Sequence, residues 1–201
     1  MKLLNVLLSM MLALSMQAPA LSQNAAQKGG NADYKVGERL KQANAAGTAK
    51  AFREISWEEL VPTHWDPERL FKDLDFDKLE DNDPRAMQAL ELMRKEWNEA
   101  PVEPSMKGAR IRIPGFVVPL DTERGQIREF LLVPYFGACI HTPPPPANQI
   151  IHVVADKPLK NVQIMDAVWV NGTMDMARTD TEFGTSGYQM KAEAVTPYKG
   201  K

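Results

Sequence analysis

Arg110-Ile111-Arg112-Ile113-Pro114-Gly115-Phe116-Val117-Val118-Pro119-Leu120 decides the fold. Its first four residues alternate polar and apolar, the two-residue period of a strand. Pro114-Gly115 marks a bulge or sharp bend, after which Phe116 to Leu120 continues the strand. Residues 121–126 read as a hairpin turn around Gly125, and 127–133 as the next strand. Residues 149–154, 167–174 and 188–195 supply three more. Five short strands with Gly and Pro at the corners predict a mainly β domain over 107–201. A small OB-like β-barrel is the first choice and a β-sandwich the alternative.

Upstream, residues 51–106 read as a helical segment packing on the barrel. Ser56-Trp57-Glu58-Glu59 fits a capping box, with Glu59 reaching back. Asp66-Pro67 opens a further turn with Leu70, Phe71 and Leu74 on one face. Asp83-Pro84 repeats the signal, and Met87, Leu90, Met93 and Trp97 form one helical stripe, read as core. Residues 21–50 carry almost no large apolar side chains and read as a flexible leader. Residues 1–20 combine Lys2, an apolar run and Ala18-Pro19-Ala20, the pattern of a secretory signal peptide cleaved near Ala20. No other stretch reaches membrane-spanning length. The expected product is a periplasmic protein that is not embedded in the membrane.

The 201 residues carry 24 Lys and Arg against 26 Asp and Glu, a formal charge of −2. That balance speaks against a nucleic-acid partner, which needs a basic face. A single cysteine, Cys139, excludes an intrachain disulfide, a Cys₄ zinc site and a CxxC redox pair. Phosphate-loop, GxSxG, HExxH and strand-linked GxGxxG motifs are absent. Asp73, Asp75, Asp77, Asp81 and Asp83 lack the Gly and terminal Glu of a calcium loop, and read as a solvated acidic face.

Chemistry concentrates in the stretch from Pro134 to Gln149, which holds Cys139, His141 and the four prolines 143–146. In an extended backbone, residues two apart point to the same side. A thiolate and an imidazole so placed suit zinc, with copper(I) as the alternative. The proline run would stiffen the pair. His152 on the following strand is the expected third ligand, with His64 and Asp121 as other candidates. Met174 and Met176 offer thioethers at the same spacing, but read more simply as one face of a strand end. The alternative for Cys139 is a small buried residue, and for His141 a structural one. A thiol activated by His141 is a third reading, without any cue to a substrate or an obvious third member of a triad. No organic cofactor is indicated.

The chain resembles the domain of unknown function 3299 family. The resemblance rests on the stretches Ile113 to Asp121, Glu129 to His141 and Pro143 to Gln149. Val168 to Gly172 and Ile55 to Pro62 extend it. Members are exported proteins with an OB-like barrel, some encoded beside ABC transporter subunits in zinc-responsive gene clusters. The resemblance therefore implies an accessory periplasmic component, with Cys139 and His141 as the matching residues.

Three functions follow. The first is a periplasmic accessory protein that binds a transition metal, zinc first, transiently through Cys139 and His141. Its partners would be inner-membrane ABC transporter subunits or another periplasmic metal-binding protein. The second is an OB-like interaction module without metal, docking on a membrane transporter through the Tyr135 and Phe136 loop. The third is a thiol enzyme or redox partner; an enzyme is less favoured than a binding protein.

Overall fold

The computed structural model describes residues 34–41, 52–67, 69, 84–123 and 125–199. Its strands are β1 (Arg53–Glu54), β2 (Arg110–Pro119), β3 (Thr122–Glu123), β4 (Gln126–Val133), β5 (Ile151–Lys160), β6 (Ala167–Asp175), β7 (Thr179–Thr181), β8 (Gly184–Ser186) and β9 (Tyr188–Pro197). Among the described residues, helix α1 (Pro84–Asn98) precedes the barrel. Five strands close on themselves in the order β2-β6-β9-β5-β4, with β4 returning to β2. The β5–β9 pair is parallel, and the other barrel pairs are antiparallel. This is an OB-like barrel, and closure through β2 and β4 distinguishes it from a sandwich.

Closure depends on the opening stretch of sequence. Residues 110–116 pair with β6, and residues 116–119 pair with β4. Pro114-Gly115 therefore does not break the strand. It sits immediately before the place where one strand changes partners. A Cβ on Gly115 would lie 2.7 Å from Leu132 Cγ and 2.9 Å from the Val133 carbonyl oxygen. Only glycine lets β4 approach this closely.

Two apolar clusters flank the barrel wall. Ile111, Ile113, Phe130, Leu132, Val153 and Met190 alternate into the interior. Phe116, Val118, Leu131 and Val133 point outward and are equally buried. The continuous apolar runs at 116–118 and 130–133 follow from burial on both faces. The outer cover is the 134–149 loop together with residues 34–41.

The segment before the barrel departs from expectation. Residues 58–60 form a single 3-10 turn with Trp57 at its N-cap; Ser56 N–H donates to Glu59 Oε1 at 2.9 Å, the reach-back half of the expected capping box, but no side chain caps the turn. Trp57 and Leu60 pack in the interior cluster. Helix α1 starts at Pro84 as expected, but its apolar stripe is not core. Met87 is 61% exposed and Leu90 41%, while Met93 and Trp97 are half-buried and Ala89 is its buried residue. The helix lies on the surface, tied near its C-terminus where Arg178 donates to the Asn98 carbonyl oxygen. Leu70, Phe71, Leu74 and the aspartates from Asp73 to Asp83 lie outside the described residues. So do residues 1–20, expected to form a signal peptide, and most of the expected leader. Residues 34–41, assigned to the flexible leader, are instead docked on the barrel. Among the described residues, no helix is long and apolar enough to cross a membrane.

Candidate functional site

Between β4 and β5 the chain makes a tight turn around one carbonyl. Gly137 O accepts N–H groups from Ile140 at 3.2 Å, His141 at 2.8 Å and Thr142 at 3.2 Å, and the Thr142 hydroxyl at 3.3 Å. Gly137 takes φ +87°, as glycine readily does, and Cys139 takes φ +66°. A cysteine in the left-handed region is uncommon and carries backbone strain. The extended backbone expected at 139–141 is therefore absent, and with it the reason for thiol and imidazole to share a side.

The two side chains sit in different surroundings. Cys139 packs against the outer cluster, and burial pushes its thiol up to about 12. At neutral pH it is a thiol rather than a thiolate, and so a weak nucleophile. His141 is exposed. Tyr135 beside them is half-buried, and burial likewise raises its phenol despite a hydrogen bond with Thr142.

His152 belongs to another cluster. It stands opposite Leu131 on the outer face of β5 and is buried. Its Nε2 lies 3.1 Å from Glu129 Oε2. Its Nδ1 lies 3.4 Å from both Thr179 Oγ1 and the Gln189 amide nitrogen. The ring thus faces a carboxylate on one side and a hydroxyl and an amide on the other. His152 thus ties the β7–β8 hairpin to the barrel wall. Among the described residues, no three His, Cys, Asp or Glu side chains converge as a metal-binding group. The structure does not gather Cys139, His141 and His152 into one site, and this donor set does not fit a resident zinc ion. His64 and Asp121 are exposed, and Met174 is fully buried in the barrel interior.

The second half of the loop is a clamp. Pro143 and Pro144 are exposed, and Pro145 is buried. Asn148 Nδ2 donates to the Pro101 carbonyl at 2.9 Å, and Gln149 Nε2 to the Trp57 carbonyl at 2.7 Å. Trp57 Nε1 donates to the Pro114 carbonyl at 2.7 Å. The Tyr188 hydroxyl donates to Leu60 O at 2.7 Å and accepts from Glu103 N–H at 2.6 Å. Burial pushes that phenol up to about 12, so it keeps the proton it donates. These residues join the loop, the upstream segment and the barrel. No local motif announces them, because their partners lie 47 to 128 positions away.

A cavity of about 270 Å³ opens beside this clamp, lined mainly by Ala100, Pro101, Val102, Ala147 and Met176. Its one charged lining residue, Arg178, is engaged by Asn98 O and by Asp180 at 3.2 Å. The cavity offers an apolar wall rather than catalytic groups.

Residues 57–197 match the model of the family described as protein of unknown function (DUF3299). The chain belongs to that family. The DUF3299 match spans the barrel, the clamp and the 134–149 loop. A solved DUF3299 protein from Pseudomonas aeruginosa PAO1 is 34% identical, with a TM-score of 0.58. The similarity covers 75% of this chain and 99% of that one. No curated protein matches the chain.

Proposed function

We propose that this DUF3299 protein is an exported accessory component of a membrane transport system. It acts as an OB-like interaction module, and the outward side of its 134–149 loop is the docking surface. The observation that carries this reading is the locked turn around Gly137 O, which keeps Cys139 inward while His141, Pro143 and Pro144 stay exposed. Prolines in an extended run lose little freedom on binding, so such an edge associates at low entropic cost. The periplasm as location rests on the residue pattern of 1–20, and an ABC-type partner on the family resemblance.

The test is site-specific photo-crosslinking in cells. A photoreactive residue at position 143 is expected to capture an inner-membrane transport protein, and one at position 157, on the exposed end of β5, is not. Equal capture from both positions, or none from 143, overturns the reading.

A transition metal enters in a narrower form than the sequence suggests. His141 is exposed, so its imidazole is open to a zinc or copper(I) ion that a partner also ligates. Cys139 would join only after the loop opens. Titration with metal in the presence and absence of the captured partner separates the two versions.

A further inference from the structure

Residues 34–41 have the form of a bound peptide. Tyr34 meets Phe116 edge-on, with centroids 5.3 Å apart, and stacks on Phe136 at 6.2 Å. Phe116 and Phe136 pack edge-to-face at 5.6 Å. Gly37 N–H donates to Phe136 O at 2.8 Å, and Phe136 N–H donates to Glu38 O at 2.9 Å. Arg39 bridges to Tyr135 in antiparallel fashion and lies 5.9 Å above its ring. The segment is also closed on itself: Glu38 N–H donates to Lys35 O at 2.9 Å, and Lys35 N–H to Glu38 Oε2 at 3.0 Å. An aromatic anchor, a preformed turn and strand-like main-chain bonds are the elements of peptide recognition by main-chain pairing.

Besides these contacts the strap is tied by the Tyr198 hydroxyl, which donates to Lys41 O, and by Arg39 Nη1, 3.5 Å from Glu58 Oε1, but few of its residues are buried. Lys35, Val36, Gly37, Glu38 and Arg39 are exposed, and only Tyr34 and Leu40 are half-buried. The acceptor beneath is firm: Phe116 and Val133 are fully buried, and Gly137 N–H is fixed by Met165 Sδ at 3.2 Å. The acceptor residues lie inside the range matched by the family, whereas the strap lies outside it. A segment with few buried contacts over a rigid acceptor opens independently of the core.

We propose that the surface formed by Phe116, Tyr135, Phe136 and Gly137 is a peptide-binding site, and that residues 34–41 are its intramolecular occupant. The partner segment that displaces them has the same chemistry: an aromatic residue three positions ahead of a glycine in a tight turn. This rests on the interaction-module reading and specifies one class of partner for the same loop.

The probe is a fluorescent synthetic peptide of residues 33–42, followed by anisotropy. It is added to the mature chain and to the mature chain carrying Tyr34→Ala and Gly37→Val. Gly37 has φ +85°, which valine resists, so the double substitution loosens the strap without touching the acceptor. The tethered strap competes at an effective concentration of about millimolar. The peptide is therefore expected to bind the variant at least about tenfold more tightly than the intact chain. A peptide with Tyr34→Ala is expected to bind neither. Equal binding to both chains, or equal binding by the Tyr34→Ala peptide, overturns the proposal.

Should the variant not fold, amide exchange on the intact chain decides. Excess unlabelled peptide is expected to speed exchange at Gly37 while Phe136 stays protected. A Gly37 amide that exchanges only at the rate of the barrel strands overturns the proposal. Loss of peptide binding alongside retained crosslinking from position 143 rejects this site and leaves the docking surface standing.

Discussion

The indole of Trp57 donates to the carbonyl oxygen of Pro114 at 2.7 Å, joining residues 57 positions apart. Pro114 lies two residues before Phe116, where β2 changes partners, so this bond holds the upstream segment against the closing edge of the barrel. Trp57→Phe keeps most of the apolar contact and orphans a buried carbonyl, at a cost of about 1–3 kcal/mol. Trp57→Ala also leaves a cavity and costs about 3–5 kcal/mol. Urea denaturation of both variants checks the order.

Gly115 and Gly172 face different obstacles. A Cβ at Gly115 meets the Leu132 side chain and a carbonyl, whereas one at Gly172 meets the Lys191 carbonyl oxygen and the Ala192 backbone. Side chains yield more readily than paired backbone. Gly115→Ala is expected to destabilise by about 1–3 kcal/mol and Gly172→Ala by more. Gly125→Ala meets no steric neighbour and suffers only from its φ of +75°. Thermal melts of the three variants compare them directly.

Strand positions were legible because a half-buried wall imposes a two-residue period, as at Arg110 to Ile113. The β1 pairing and the β7–β8 hairpin were not, since two or three residues carry no period. The stripe Met87, Leu90, Met93, Trp97 did mark a helix, but periodicity reports an apolar face and not what covers it. Residues 34–41 look featureless in sequence because they are attached through one aromatic ring, main-chain bonds and long-range polar contacts, not a run of apolar side chains. The 134–149 loop stood out by composition. Its geometry was misread because nothing in the local sequence announces that Cys139 takes φ +66°. The clamp through Asn148, Gln149 and Tyr188 depends on long-range pairing and leaves no local pattern.

Alkaline pH should weaken the fold, most through two groups. Burial raises both the Cys139 thiol and the Tyr188 phenol to about 12, so both stay neutral in the folded chain. The unfolded chain releases these protons first, from about pH 9 for Cys139 and about pH 10 for Tyr188. Stability is therefore fully present below pH 9 and falls as pH rises toward 12. Cys139→Ala removes the thiol's part of that slope, measurable as the pH dependence of the urea midpoint. Alkylation of Cys139 in the folded chain should keep accelerating above pH 9 rather than level off.

The His152 cluster predicts an asymmetric pair of effects. His152→Ala removes a buried ring and the contact it makes with Thr179 of the hairpin, costing about 1–3 kcal/mol. Glu129 is 47% exposed, so Glu129→Gln should cost less than about 1 kcal/mol. Amide exchange at Thr185 and Ser186 should rise in the first variant and hold in the second. Equal effects would mean the His152–Glu129 contact, and not ring packing, fastens the hairpin.

The central claim is that the 134–149 loop is a closed, outward-docking surface rather than an open Cys139 and His141 ligand pair. Its most direct test is titration of the reduced, metal-free chain from residue 21 onward with zinc(II) and then copper(I), beside a folded Cys139→Ser, His141→Ala variant. The account predicts no binding at micromolar metal beyond that of the variant. One equivalent bound by the wild type and lost in the variant would contradict it.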